Sequence, residues 1–344
     1  MKRLAKILKS IGVVFGFIVS SFGLMIILGL ILPAVLEYKR NLAINYNRQA
    51  ETLYQARQYE QAIEIYNKAI QAYPNLALSY YNRGNCFFVL NDYQEVLQNY
   101  NDALKLNPSY PQAYNNRGNT YYLLGDYHQA IADYTQAVKC NPKYERAYYN
   151  RGNAYYNLSE YKQALLDFSY AIQLNPDYAE SYNNLGNTYI ALNQYQQAID
   201  SYDKAIAINP NYAQAYNNRG NSYYYLNNVV QAISNYAKAI TLDSQNHEAY
   251  NNRGNAYYAL QKYKEALKNY DQALTLCPNH IESYYNRGLV QIKLKQKQKA
   301  IADLQQAVQL AQQQGNQLLL GVIKDAVEKL QMNQEIPNVL PSQS

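Results

Sequence analysis

A glycine returns every 34 residues through most of this chain, at Gly84, Gly118, Gly152, Gly186, Gly220, Gly254 and Gly288, with no insertion between any two. A strict period of that size constrains the fold strongly, because so short a unit cannot close a core alone and must stack on its neighbours. A length of 344 residues ordinarily implies two domains, but an array grows by addition, so one elongated domain accommodates it.

Residues 145–178, ERAYYNRGNAYYNLSEYKQALLDFSYAIQLNPDY, represent the unit. Apolar and aromatic residues fall at helical spacing in two blocks: Tyr148, Gly152, Tyr155, then Ala164, Leu165, Phe168, Ala171, Ile172. Each block predicts one amphipathic helix of about fourteen residues. Asn157, Leu158 and Ser159 break the pattern between them. Asn175-Pro176 ends the second helix, because proline disfavours a helical residue before it and donates no amide hydrogen bond.

These residues resemble the tetratricopeptide repeat: Tyr148, Gly152, Tyr155, Ala164, Phe168, Ala171 and Pro176 occupy the offsets of that family's pattern. Tyr148 stands where the family has Trp, and Arg151 where it has Leu. Small side chains are expected at Gly152, Ala164 and Ala171, where the two helices cross closely. The resemblance implies an all-α fold, a right-handed superhelical solenoid of antiparallel helix pairs. It also implies that the first helices line a concave groove in which ligand peptides lie. The NRGN-type units, the absence of Trp and the 41 tyrosines are similar to repeat proteins abundant in cyanobacteria.

In order, residues 1–10 form a basic flank and residues 11–36 a run without a charged side chain, long enough as a helix to cross a hydrocarbon core of roughly 30 Å. An uncleaved transmembrane helix is expected there. The competing cleaved signal peptide is disfavoured by the length of the run and by the poor cleavage site at Leu32-Pro33-Ala34. Lys2, Arg3, Lys6 and Lys9 precede the run, whereas Lys39 and Arg40, offset by Glu37, follow it. The positive-inside rule then puts the N-terminus in the cytoplasm and the repeats on the periplasmic or lumenal side of a single-pass membrane protein.

The array is expected over residues 43–314. Its units are 43–76, where Ala50 replaces the glycine, then 77–110, 111–144, 145–178, 179–212, 213–246, 247–280 and 281–314. A capping helix is expected at 315–332, with Leu319, Val322, Ile323, Ala326, Val327 and Leu330 on one stripe. The remainder, 333–344, reads as a disordered tail.

Two positions per unit are asparagine almost without exception. Asn82, Asn116, Asn150, Asn184, Asn218, Asn252 and Asn286 stand two residues before the glycine; Asn85, Asn119, Asn153, Asn187, Asn221 and Asn255 stand one after it. Three residues apart, they share one helix face and make a polar ladder. An amide offers two donors and an acceptor, which suits bonding to the backbone of an extended peptide whatever its side chains. Tyr122, Tyr156, Tyr224 and Tyr258 lie three residues further on the same face and are candidates to stack on ligand side chains. Tyr182-Asn183-Asn184-Leu185-Gly186-Asn187 resembles the asparagine ladder in the repeat superhelix of O-linked N-acetylglucosamine transferases. The competing reading is that the asparagines bond to one another or to neighbouring helices.

The arginine before the glycine falls on a stripe shared with Ala147 and Ala154, so its charge needs a partner. Sixteen residues on stand Asp133, Asp167 and Asp303 for Arg117, Arg151 and Arg287, and Asn99, Asn235 and Asn269 for Arg83, Arg219 and Arg253. Where Leu185 replaces Arg, Ser201 stands at the partner position. A bond across each helix pair is expected.

Net charge is +6, but residues 2–40 carry +5 of it, leaving a near-neutral array that argues against nucleic acid. Cys86, Cys140 and Cys277, like His128, His247 and His280, are scattered and form no metal pattern or nucleophile constellation. No enzyme activity, cofactor or small-molecule substrate is therefore expected. The expected function is a membrane-anchored scaffold binding a protein or peptide in its groove, with an assembly factor or chaperone for membrane complexes as the alternative.

Overall fold

The computed structural model describes residues 29, 31–332 and 340, and among them there are seventeen α-helices and no strand. Residues resolve into two compact units, one ending at Ala147 and one starting at Tyr148, so the division falls within the helix Glu145–Asn157. In both units, consecutive helices pack side by side as pairs.

Each pair is closed by local chemistry that recurs with the period. The first helix ends in a residue at positive φ, at Arg57, Asn91, Gly125, Ser159, Asn193, Asn227, Gln261 and Lys295. At Ser159, its amide reaches Tyr156 O at 2.9 Å and the Glu160 amide reaches Tyr155 O at 2.9 Å, the two bonds that satisfy the last carbonyls of a helix when the chain turns left-handed. Second helices begin at Asp92, Asp126 and Asn228, whose side chains accept from the amide three residues later. They end at Asn107, Asn141, Asn175 and Asn209 in an extended conformation that suits the following proline. Asp243 adopts the same conformation before Ser244, so the missing proline leaves the exit of that helix unchanged.

The core is narrow and built from small residues facing one ring. Ala164, Ala171 and Phe168 are fully buried, as are Ala198, Ala205 and Tyr202 in the next pair. The ring presses on the periodic glycine: a Cβ on Gly186 would stand 2.6 Å from Tyr202 Cε1, and one on Gly152 would stand 2.8 Å from Phe168 Cε1. That approach is what demands glycine there. At the last repeat Leu304 replaces the ring and relaxes the contact to 3.1 Å.

Two expectations need amendment. Leu32–Gln55 is one uninterrupted helix, so the expected end of the span at 36 and the expected start of the array at 43 both fall inside one element. Nothing in 37–42 breaks a helix, and Pro33 lies in the first turn, where its missing amide costs no bond. The basic flank and most of the expected span at 11–36 lie outside the described residues. Among those described, no helix is long and apolar enough to cross a membrane, so the expected span gains no support.

The helix Gln317–Gln331 covers the last repeat with Leu319, Leu320, Ile323, Ala326 and Leu330. The expected disordered tail lies outside the described residues except for Leu340, which packs against the same cluster.

Candidate functional site

The first helices carry the asparagines into contact from one repeat to the next. Asn116 Nδ2 donates to Asn85 Oδ1 at 3.1 Å and to the Tyr81 hydroxyl at 3.0 Å. Beyond Tyr148, Asn184 Nδ2 reaches Asn153 Oδ1 at 2.8 Å and Asn218 Nδ2 reaches Asn187 Oδ1 at 3.0 Å. Asn286 Nδ2 likewise reaches Asn255 Oδ1 at 3.0 Å, and Asn252 Nδ2 reaches Asn217 Oδ1 at 3.3 Å. The ladder is thus a chain of amide-to-amide bonds as well as a surface.

A second bond fixes each rung. The hydroxyls of Tyr100, Tyr134, Tyr202, Tyr236 and Tyr270 donate to Oδ1 of Asn85, Asn119, Asn187, Asn221 and Asn255 at 2.7 to 2.8 Å. These are the core rings that press on the glycines, so one side chain both fills the core and orients an asparagine. The pairing escaped the sequence reading, although its signal is of the same kind as the arginine's. Fifteen residues separate the partners in every copy, and where Leu289 replaces the asparagine, Leu304 replaces the tyrosine. Phe168 is the exception, leaving Asn153 without the hydroxyl bond.

At Asn85, Asn187 and Asn255 both acceptor positions of the oxygen are occupied, so these rungs have only N–H donors to offer. Asn82, Asn85, Asn116, Asn119, Asn150, Asn153, Asn184, Asn187 and Asn221 are half-buried, and Asn218, Asn252, Asn255 and Asn286 are buried.

Two pockets open along the ladder, each within one of the compact units. One of about 210 Å³ is lined by Tyr54, Asn85, Phe88, Tyr100, Asn116 and Asn119. The other, about 140 Å³, lies among Tyr156, Asn187, Ile190, Tyr202, Gln214, Asn218, Asn221 and Tyr225. Of the expected stacking tyrosines, Tyr156 therefore faces a pocket. Tyr122, Tyr156 and Tyr258 also meet Tyr127, Tyr161 and Tyr263 edge to face at 5.2 to 5.5 Å, while Tyr224 meets Tyr225 at 6.4 Å. Such contacts hold the rings in place.

The arginines turn away from the ladder. Arg117, Arg151 and Arg287 grip Asp133, Asp167 and Asp303 through paired bonds of 2.6 to 2.7 Å. Arg83, Arg219 and Arg253 donate to Asn99, Asn235 and Asn269 at 2.7 to 2.8 Å. Beyond the expected partner, Nη1 also reaches back to the preceding second helix, at Asn67 from Arg83, Asn101 from Arg117, Asp203 from Arg219 and Asp271 from Arg287. Each guanidinium also lies 5.2 to 5.7 Å from the ring three residues before it. Arginine here joins neighbouring repeats, a role that leucine at this position cannot fill.

His280 sits 5.0 Å from His247 by ring centroids. Burial and that neighbour push its pKa down to about 4. Glu282 stands 3.3 Å from Nε2, and burial raises its carboxyl as well, so burial opposes the charged form of both groups. Burial also lifts the Cys86 thiol to about 12. Among the described residues no group of His, Cys, Asp or Glu is placed to hold a metal ion.

Sequence models described as tetratricopeptide repeat match residues 48–76, 145–178, 179–212, 201–234 and 281–314. A further model, described as TPR repeat, matches 84–125, 118–159, 220–261 and 254–295. No curated protein matches the chain. Among solved structures, a tetratricopeptide repeat protein from Parabacteroides merdae is 22% identical with a TM-score of 0.60, covering 75% of this chain and 99% of its own. The C-terminal part of a TPR repeat-containing protein from Cytophaga hutchinsonii is 20% identical with a TM-score of 0.57, covering 70% and 98%. The APC/C hetero-tetramer Cut9-Hcn1 is 18% identical with a TM-score of 0.59, covering 82% and 54%. At these identities the likeness concerns the fold.

Proposed function

Because the chain belongs to the tetratricopeptide repeat family, a fold suited to protein-protein interaction, we propose that it is a scaffold that binds an extended peptide or partner segment along its asparagine ladder. The observation that carries this reading is the orientation of the rungs. At Asn85, Asn187 and Asn255 a tyrosine hydroxyl and a neighbouring amide engage the oxygen, so these rungs offer N–H donors, and the complement of such donors is a row of backbone carbonyls. Hydrogen bonds to backbone carry no demand on side-chain identity. Specificity then comes from the pockets, whose walls are rings, amides and Ile190.

The apolar run at residues 11–36 supplies the tether in this reading and holds the captured segment beside a bilayer. The test combines two measurements on the full chain. Membrane fractions washed with carbonate should retain it, and partners recovered with it should fall off when Asn153, Asn187 and Asn221 are all changed to alanine. Recovery undiminished by that change, in a protein whose thermal melt is intact, would remove the ladder from the binding surface.

A further inference from the structure

The C-terminal end of the ladder already holds a segment of backbone. Leu340 N donates to Asn286 Oδ1 at 2.7 Å, and Leu340 O accepts from Asn286 Nδ2 at 2.7 Å. The same carbonyl accepts from Asn255 Nδ2 at 2.8 Å. One amide side chain thus pairs with both polar groups of one residue, and the rung below adds a second donor to the carbonyl. The Leu340 side chain is part of the apolar layer that includes Tyr258, Tyr284 and Ile292.

A local difference explains why Asn286 can do this. Four earlier repeats have asparagine before the first asparagine of the rung, and it takes the next oxygen at Asn115, Asn183 and Asn217, which donate to Asn116, Asn184 and Asn218 Oδ1. Before Asn286 stands Tyr285, whose side chain is fully buried and whose hydroxyl makes no bond. The Asn286 oxygen therefore has room for a backbone amide. The subsite is built, since Asn255 is 3% and Asn286 0% exposed.

We propose that Asn255 and Asn286 form a subsite for one aliphatic residue of an extended chain, and that Leu340 is its resident occupant, so that another protein enters this end of the ladder only by displacing the chain's own C-terminal segment. The competing ligand is defined by chemistry: a leucine-like side chain on a residue with both its N–H and its C=O available, which excludes proline at that position. This rests on the ladder reading and adds to it a competitor encoded in the same chain.

The experiment uses the full chain and a fluorescent synthetic peptide with the sequence of residues 333–344, read by anisotropy. A tethered occupant at an effective concentration of about 1 mM weakens binding of an added peptide on the order of tenfold when that peptide's own Kd is near 0.1 mM. Leu340→Asp should expel the occupant and tighten peptide binding by that factor. Adding Asn286→Asp, which removes the donor and keeps an oxygen, should abolish the gain. In the unchanged protein the Leu340 amide should be protected from hydrogen exchange, which can be read without any variant. The proposal fails if Leu340→Asp leaves peptide affinity unchanged, if the gain survives Asn286→Asp, or if the Leu340 amide exchanges at the rate of an open chain. Those failures leave the mid-ladder triple variant unaffected, and the triple variant can fail while the peptide result holds, so the two readings are separable.

Discussion

Arg151 and Asp167 lie sixteen residues apart on the two helices of one repeat and meet through two bonds of 2.7 Å, Nε to Oδ2 and Nη2 to Oδ1, with the carboxylate side chain only 4% exposed. A buried pair of this geometry is a poor source of net stability but a costly one to break, because removal of either member strands the other. The chain contains its own apolar alternative in Leu185 with Ser201.

Asp167→Ala alone is therefore expected to cost on the order of 3 to 5 kcal/mol. The double change Arg151→Leu with Asp167→Ser should recover most of that loss. Urea midpoints of the two variants check this; a double variant as unstable as the single one would mean that the pair does more than satisfy itself.

The ring contacts predict an order among the glycines. A methyl at Gly186 meets Tyr202 at 2.6 Å and one at Gly288 meets Leu304 at 3.1 Å, and overpacking typically costs about 1 to 3 kcal/mol while alanine returns up to about 1 kcal/mol of helix propensity. Gly186→Ala should be clearly destabilising and Gly288→Ala close to neutral. The first repeat already tolerates Ala50 against Tyr66, whose hydroxyl meets Glu51 at 3.4 Å, longer than the bonds the other tyrosines make to asparagine. Melting temperatures of the two variants give the order directly.

His280 predicts a pH dependence with a definite sign. Its folded-state pKa, near 4, lies below the ordinary 6.5, so the unfolded chain takes up the proton first. Stability from this group is complete above pH 6.5 and declines as pH falls from 6.5 towards 4, by at most about 3 kcal/mol. His280→Asn should flatten the profile, since Asn246 caps a first helix at the same place in the preceding repeat. Tm measured across that range tests it.

Thiol reactivity should separate the cysteines. Cys86 is fully buried with its pKa raised from 9.0 to about 12, whereas Cys140 and Cys277 are half-buried. A shift of that size lowers the thiolate fraction on the order of a thousandfold. Alkylation followed by peptide mass mapping should mark Cys140 and Cys277 well before Cys86.

The architecture was legible because a helix pair that cannot close its own core writes its period into the sequence, and Gly152, Ala164 and Ala171 mark where backbones meet. The arginine partners were legible for a related reason: a buried charge must be answered, so Arg117 and Asp133 vary together with Leu185 and Ser201. The tyrosine-to-asparagine bond obeys the same logic through Leu289 and Leu304. It is hard to see in the sequence because tyrosine at a core offset is already explained by packing, which leaves its hydroxyl no signal of its own. The seat of Leu340 was not legible at all. A residue 54 positions from Asn286 and outside the repeat leaves no periodic trace, and only geometry brings it to the ladder.

Because the left-handed turn after each first helix satisfies its own carbonyls within six residues, gaining or losing a whole repeat disturbs no hinge elsewhere. Duplication or deletion in the gene would change how many rungs the molecule owns while leaving the grip of any single rung as it was. Reach and strength of capture can then be tuned separately over evolutionary time, the first by copy number and the second by side-chain replacement.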